Sequence, residues 1–139
     1  MRAAPVWATM VGMDDRSLAR AIAAGRLGFG LVMLFVPNLV LQRVTDQRPG
    51  PLVWMCRAFG IRDAVLGAGA LLELAVDDED SEPETRWVTM GAVADTSDAV
   101  AALVWRKELG WAGLASTWGL AIPAAALGWK ASMGLRRGR

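Results

Sequence analysis

Four long apolar segments, separated by short polar connections, restrict how this chain of 139 residues can fold. The clearest is LGWAGLASTWGLAIPAAALGW, residues 109–129, in which 21 consecutive residues carry no charge. At about 1.5 Å per helical residue, such a segment can cross a hydrocarbon core of about 30 Å. The pattern predicts an all-α, four-transmembrane-helix bundle. Its expected spans are about 17–42, 52–75, 87–105 and 109–130.

The distribution of basic residues predicts how these spans are oriented. Eight Lys and Arg residues lie in the N-terminal segment, the second connection and the C-terminal segment, against four in the first and third connections. The positive-inside rule then places both termini in the cytoplasm of a bacterial plasma membrane. The expected organisation is a lead-in at 1–15, a four-helix membrane domain at 16–134 and a basic tail at 135–139.

The second and third segments carry charges near their middles, so a soluble helical bundle is an alternative to a membrane protein. The tryptophans favour the membrane, because five of the seven stand at predicted segment ends, where an interfacial aromatic belt is found. These five are Trp54, Trp87, Trp105, Trp111 and Trp129.

Composition argues against several classes of function. The chain has no histidine and one cysteine, Cys56, so the commonest metal ligand and general base is absent and no cysteine pair can hold zinc or a cluster. The net charge of +1 does not favour nucleic-acid binding. We therefore expect no metal, no cofactor, no catalytic residues and no nucleic-acid partner, and the sequence does not favour an enzyme.

Six ionisable residues fall within the predicted spans, and they form the candidate polar cluster. Each would cost about 2.5–3.5 kcal/mol at the centre of an isolated membrane helix, so they are expected to neutralise one another inside the bundle. Three are positive and three are negative, which predicts a charge-neutral network. The six are Arg26, Arg57, Arg62, Asp63, Asp95 and Asp98.

Helical periodicity places these charges on faces that are otherwise made of small residues. Small residues allow a neighbouring helix to approach closely. From this we predict that Arg62 or Arg57 pairs with the face that carries Asp95 and Asp98. The two faces are Gly91, Asp95, Asp98 and Ala102 on the third segment, and Gly60, Asp63, Ala64 and Gly67 on the second.

Three motifs carry a resemblance to a known kind of protein. They are GRLGFGLVMLFVP at 25–37, RAFGIRDAVLGAGAL at 57–71 and DTSDAVAAL at 95–103. Together they resemble a family of small four-helix integral membrane proteins of actinobacterial type, whose function is unknown. The resemblance implies a four-span bundle in the plasma membrane and no established activity. A weaker resemblance to DoxX-type membrane proteins implies redox or quinone association, which is not carried over because histidine and a cysteine pair are missing.

Three interpretations of the polar cluster remain open at this point. It can fix the register of apolar helices in a structural or accessory component of a membrane assembly. It can instead bind a small anionic or lipid-like ligand, or support proton-linked transport. An enzyme would need Asp63, Asp95 and Asp98 to hold a divalent cation, which the neighbouring arginines oppose. The expected partners are the lipid bilayer and other membrane proteins or further copies of the chain.

Overall fold

All regular secondary structure in the described part of the chain is helical, and this part contains no strand. The computed structural model describes residues 12–43, 46, 49–76 and 85–137. The all-α prediction is confirmed for this part of the chain. The helices are α1 (Asp15–Phe35), α2 (Pro37–Leu41), α3 (Gly50–Val76), α4 (Arg86–Val104) and α5 (Arg106–Arg137).

Local chemistry explains where several helices begin and end. Asp14 caps α1, because its carboxylate accepts a hydrogen bond from the Ser17 backbone N–H at 2.9 Å, and this bond lowers the pKa of the exposed carboxyl. The predicted first span is broken at Val36, and Pro37 then occupies the first turn of α2, where its missing N–H is tolerated.

The fifth helix is interrupted near its start and extends beyond the predicted span. Gly110 has φ 66° and ψ 174°, a conformation that favours glycine, and it separates a first helical turn from the long remainder. The helix then continues to Arg137, into the segment predicted as a basic tail. Most of the predicted lead-in at 1–15, and residues 138–139 of the tail, lie outside the described residues.

The four long helices form a closed ring in which each is antiparallel to its neighbours. The most extensive contacts join α1 to α3 and α4 to α5, whereas α1 meets α5 and α3 meets α4 over smaller areas. The molecule therefore consists of two tightly packed helix pairs that meet along its centre.

Glycines bring the backbones of α1 and α3 into direct contact. A Cβ on Gly30 would lie 2.4 Å from the Ala64 backbone nitrogen, and one on Gly67 would lie 2.6 Å from the Leu27 nitrogen. A Cβ on Gly60 would meet the Gly30 carbonyl oxygen at 2.7 Å. The small-residue face predicted on the second segment is thus confirmed as the surface on which α1 packs.

The larger apolar cluster lies toward one end of the bundle, and a smaller one, made of Met33, Leu41 and Cys56, lies toward the other end. The larger cluster is built from buried side chains of all four long helices, and alanines allow these helices to approach closely. The buried members of the larger cluster are Leu18, Ala19, Ala23, Ala70, Leu74, Val88 and Ala131.

Large apolar side chains are exposed on every helix of the bundle. Trp111 is 82% exposed, Val76 79% and Phe35 70%, and further exposed aliphatic and aromatic residues occur on all four long helices. Monomeric soluble proteins seldom expose apolar side chains so widely.

Only one helix of the described chain, α1, is both long and apolar enough to qualify as a membrane span by length and composition. The uncharged segment 109–129 in α5 does not qualify, because its glycine, serine, threonine and tryptophan residues lower its hydropathy. The four-span arrangement therefore remains a prediction.

Candidate functional site: an arginine–aspartate network

The deepest part of the network is centred on Arg26. Its guanidinium donates to Asp63 Oδ1 on α3 at 2.9 Å, to Asp95 Oδ2 on α4, and to the Gly91 carbonyl oxygen at 3.3 Å. The side chains of Arg26, Asp63 and Asp95 are only 9%, 11% and 10% exposed. One side chain from α1 thus crosses the bundle interior and joins three helices.

A second arginine extends the network toward the surface. Arg62 donates hydrogen bonds to both carboxylate oxygens of Asp98, with Nη1–Oδ1 at 3.0 Å and Nη2–Oδ2 at 2.7 Å. The same Nη2 lies 3.3 Å from Asp63 Oδ1, which links the two halves into one chain of ion pairs. The Arg62 guanidinium also lies 5.1 Å from the centre of the Phe59 ring, within the range of a cation–π contact.

The two ends of the network differ in their exposure. The side chains of Arg62 and Asp98 are 34% and 31% exposed, about three times the values for the Arg26 group. The Arg62 Nε is nevertheless buried, and it has no hydrogen-bond partner among the described residues. The network therefore runs from a buried centre to a half-buried pair that lies between α3 and α4.

The structure brings together five of the six predicted residues. The predicted pairing of Arg62 with the Asp95 and Asp98 face is confirmed through Asp98. Arg26 was predicted to belong to the cluster, but its role as the partner of Asp95 was missed. Periodicity within one segment could not reveal that role, because it depends on which helices close the ring.

Arg57 lies outside the network. It is exposed on α3 and makes no ion pair with any residue of the described chain. The prediction of a charge-neutral network is therefore wrong for these residues, since two arginines face three aspartates. The network carries one formal negative charge, and Arg57 is placed where a flexible stem can carry its charge away from the bundle.

Space around the network is limited. A cavity of about 10 Å³ lies beside Arg26, between α1, α3, α4 and α5. That volume is about what one water molecule needs. This cavity therefore leaves no room for an organic ligand beside Arg26.

A second set of polar contacts, which sequence reasoning missed, closes the end of the bundle where α1 begins. Arg16 and Arg20 donate to the Leu74 carbonyl oxygen near the end of α3, at 3.2 and 3.3 Å. The Glu73 carboxylate accepts from the first backbone N–H groups of α4, those of Arg86 at 2.9 Å and Trp87 at 3.0 Å. Charges thus complement the dipoles of two helix ends. The sequence signal that could have revealed the Glu73 contacts is an acidic residue shortly before a polar connection that leads into the next helix.

Hydroxyl and indole groups join α4 to α5. Thr89 and Ser132 share a hydrogen bond of 2.6 Å, and Arg136 donates to Thr89 at 3.2 Å. Trp129 was predicted at a membrane interface, but α5 continues well beyond it and its indole donates to Thr96 at 3.1 Å. Trp129 therefore joins α5 to α4, and its place at a membrane interface remains a prediction.

The described residues contain no group of three or more acidic, cysteine or histidine side chains arranged to hold a metal ion. Comparisons with protein-family models, curated proteins and solved structures found no match to this chain. The resemblance to small actinobacterial membrane proteins, and the weaker one to DoxX-type proteins, therefore remain predictions. The site must be interpreted from its own geometry.

Proposed function

We propose that this chain is a four-span protein of the bacterial plasma membrane that acts as a structural or accessory component of a membrane assembly. In this proposal the arginine–aspartate network fixes how the four helices pack. The observation that carries it is the Arg26 side chain, which joins α1, α3 and α4 through two carboxylates and a backbone carbonyl.

The distribution of polarity supports a membrane location. The described chain places its most buried charges at the centre of the bundle and exposes apolar side chains around it. In water this arrangement would be unfavourable, whereas in a bilayer it satisfies both the apolar surface and the charges. The end of the bundle that holds Arg16, Arg20, Arg136 and Arg137 would then face the cytoplasm, according to the positive-inside rule.

The closed geometry of the network supports a scaffold. Each of its two guanidinium groups contacts two carboxylates, and the adjoining cavity has room for about one water molecule. Ion pairs in such surroundings specify helix arrangement more than they add stability. The alternative, binding or proton-linked transport of a small anionic or lipid-like ligand, is less favoured because an organic ligand would need more space than this cavity provides.

A double-mutant comparison tests the scaffold. Arg62→Leu leaves the Asp98 carboxylate unpaired, and Asp98→Leu leaves Arg62 with only its longer contact to Asp63, so each should lower unfolding stability in detergent by about 2 kcal/mol or more. The double variant removes both charges and should recover at least half of that loss. Thermal unfolding followed by circular dichroism measures all three, with Arg57→Leu as a control that removes a charge outside the network. A loss in the double variant equal to the sum of the two single losses would contradict the scaffold.

The membrane location is tested separately. After cell lysis, the chain should remain with the membrane pellet through an alkaline carbonate wash and be released by detergent. Recovery in the aqueous fraction would contradict the proposal. Purified protein in vesicles should show no proton or carboxylate flux above that of empty vesicles, and a clear flux would favour transport instead.

A further inference from the structure

The rest of the bundle does not fully cover the ion pair of Arg62 and Asp98. Both residues lie away from the ends of α3 and α4, so in the proposed bilayer they lie well inside the hydrocarbon layer. About one third of each side chain remains open to the surroundings of the monomer. Acyl chains cannot hydrogen-bond to these groups, so exposure there is unfavourable.

Small residues stand beside this pair on both helices, next to the larger exposed side chains of Phe59 and Val65. Arg62 and Asp98 lie in the seam where α3 and α4 meet over a small area. Exposed Ala58 lies one turn from Arg62 on α3, and exposed Ser97 adjoins Asp98 on α4. Ser97 turns its hydroxyl back to the Val93 carbonyl oxygen at 2.9 Å, so it presents little unsatisfied polarity. Helices in membranes pack closely through such small residues.

The charge pattern of the seam is complementary to itself. An arginine on α3 stands beside an aspartate on α4, so a second seam turned by a two-fold rotation brings aspartate to arginine and arginine to aspartate. A two-fold interface requires this kind of self-complementarity. Such a pairing would cover the exposed parts of Arg62 and Asp98 in both copies. It would also place only opposite charges side by side.

We propose that the α3–α4 seam, defined by Ala58, Arg62, Ser97 and Asp98, binds a second copy of this chain through a two-fold interface. The proposal rests on the membrane location proposed above and names the first partner of the assembly. The ion pairs between Arg62 and Asp98 then become a four-residue cluster shared by two copies.

Cysteine cross-linking in vesicles tests this interface. The single native cysteine, Cys56, is buried and is replaced by alanine. Ser97→Cys then reports on the seam, and Ala126→Cys on α5 is the matched control, because it is also small and exposed but lies outside the seam. With a short bifunctional maleimide, Ser97→Cys is expected to give a cross-linked dimer and Ala126→Cys only a background level.

A second set of variants asks whether the charges hold the copies together. Adding Arg62→Leu and Asp98→Leu to Ser97→Cys removes both charges at once and is expected to weaken association by about tenfold or more, as in other desolvated charged interfaces. Adding Arg57→Leu should leave cross-linking unchanged. Circular dichroism confirms that each variant keeps its helix content.

The outcomes separate this inference from the function on which it rests. Cross-linking of Ser97→Cys no stronger than that of Ala126→Cys, in protein that is membrane-embedded and helical, overturns the second copy and leaves the membrane scaffold standing. Cross-linking that persists in the double-leucine variant overturns the role of the charges. Failure to enter membranes at all overturns the proposed function itself.

Discussion

Asp63, Asp95 and Asp98 occupy three different positions in one network, and their hydrogen bonds rank them. Asp98 is held by both nitrogens of one guanidinium, and Asp63 is shared between Arg26 and Arg62. Asp95 has a partner among the described residues at one oxygen only, Oδ2, and that partner is Arg26. Since two arginines face three aspartates, Asp95 is the carboxylate whose charge the network can best lose.

Amide substitutions test this ranking at the level of single residues. Asp95→Asn keeps an oxygen acceptor for Arg26 and brings the network to formal neutrality, so it should change unfolding stability by less than about 1 kcal/mol. Asp98→Asn breaks a two-bond ion pair and should cost about 2 kcal/mol or more. Thermal unfolding of both variants in one detergent gives the comparison. Both variants remove one negative charge, so a larger loss in Asp95→Asn would contradict the ranking by hydrogen bonds.

At the level of helices, the α1–α3 interface depends on positions without a side chain. A Cβ at Gly67 would approach the Ala23 carbonyl oxygen at 2.7 Å and the Leu27 nitrogen at 2.6 Å, and backbone atoms cannot turn aside as side chains do. Gly28 lies on the same pair of helices, yet a Cβ there would meet nothing within 4 Å. The two glycines are therefore equivalent in helix propensity and different in packing.

An alanine pair separates packing from propensity. Gly67→Ala should destabilise the fold by about 1–3 kcal/mol because it forces the helices apart. Gly28→Ala should be neutral or stabilise by up to about 1 kcal/mol, since alanine favours the helix over glycine. Both are measured by chemical or thermal unfolding in detergent. Equal effects at the two positions would show that the close contact has no energetic weight.

At the scale of the whole molecule, the packing of the helix pairs explains which features of the fold could be predicted from the sequence. Apolar length and small-residue periodicity predict helices and their packing faces, because both depend on neighbours a few residues apart. They led to Asp95, Asp98, Gly60 and Gly67 on contact faces. The partner of Asp95 and the exclusion of Arg57 depend on how four helices close into a ring, and no pattern within one segment encodes that.

The division into two pairs predicts that the chain can be cut and reassembled. Fragments 1–76 and 85–139 each contain one extensively packed helix pair, α1 with α3 and α4 with α5. Co-expressed, they should associate and co-purify through the Arg26, Arg62 and Glu73 contacts. Affinity purification of one tagged fragment measures this. Asp95→Leu with Asp98→Leu in the second fragment should reduce recovery strongly, and unchanged recovery would contradict it.

The way the network is shared between these halves bears on how the protein is made. The first half supplies Arg26, Arg62 and Asp63, and the second supplies Asp95 and Asp98. A ribosome delivers the first half earlier, with two network arginines and Asp63 as their shared counter-charge. In the proposed membrane, the second arginine would therefore gain its own counter-charge only when Asp95 and Asp98 of the second half are inserted.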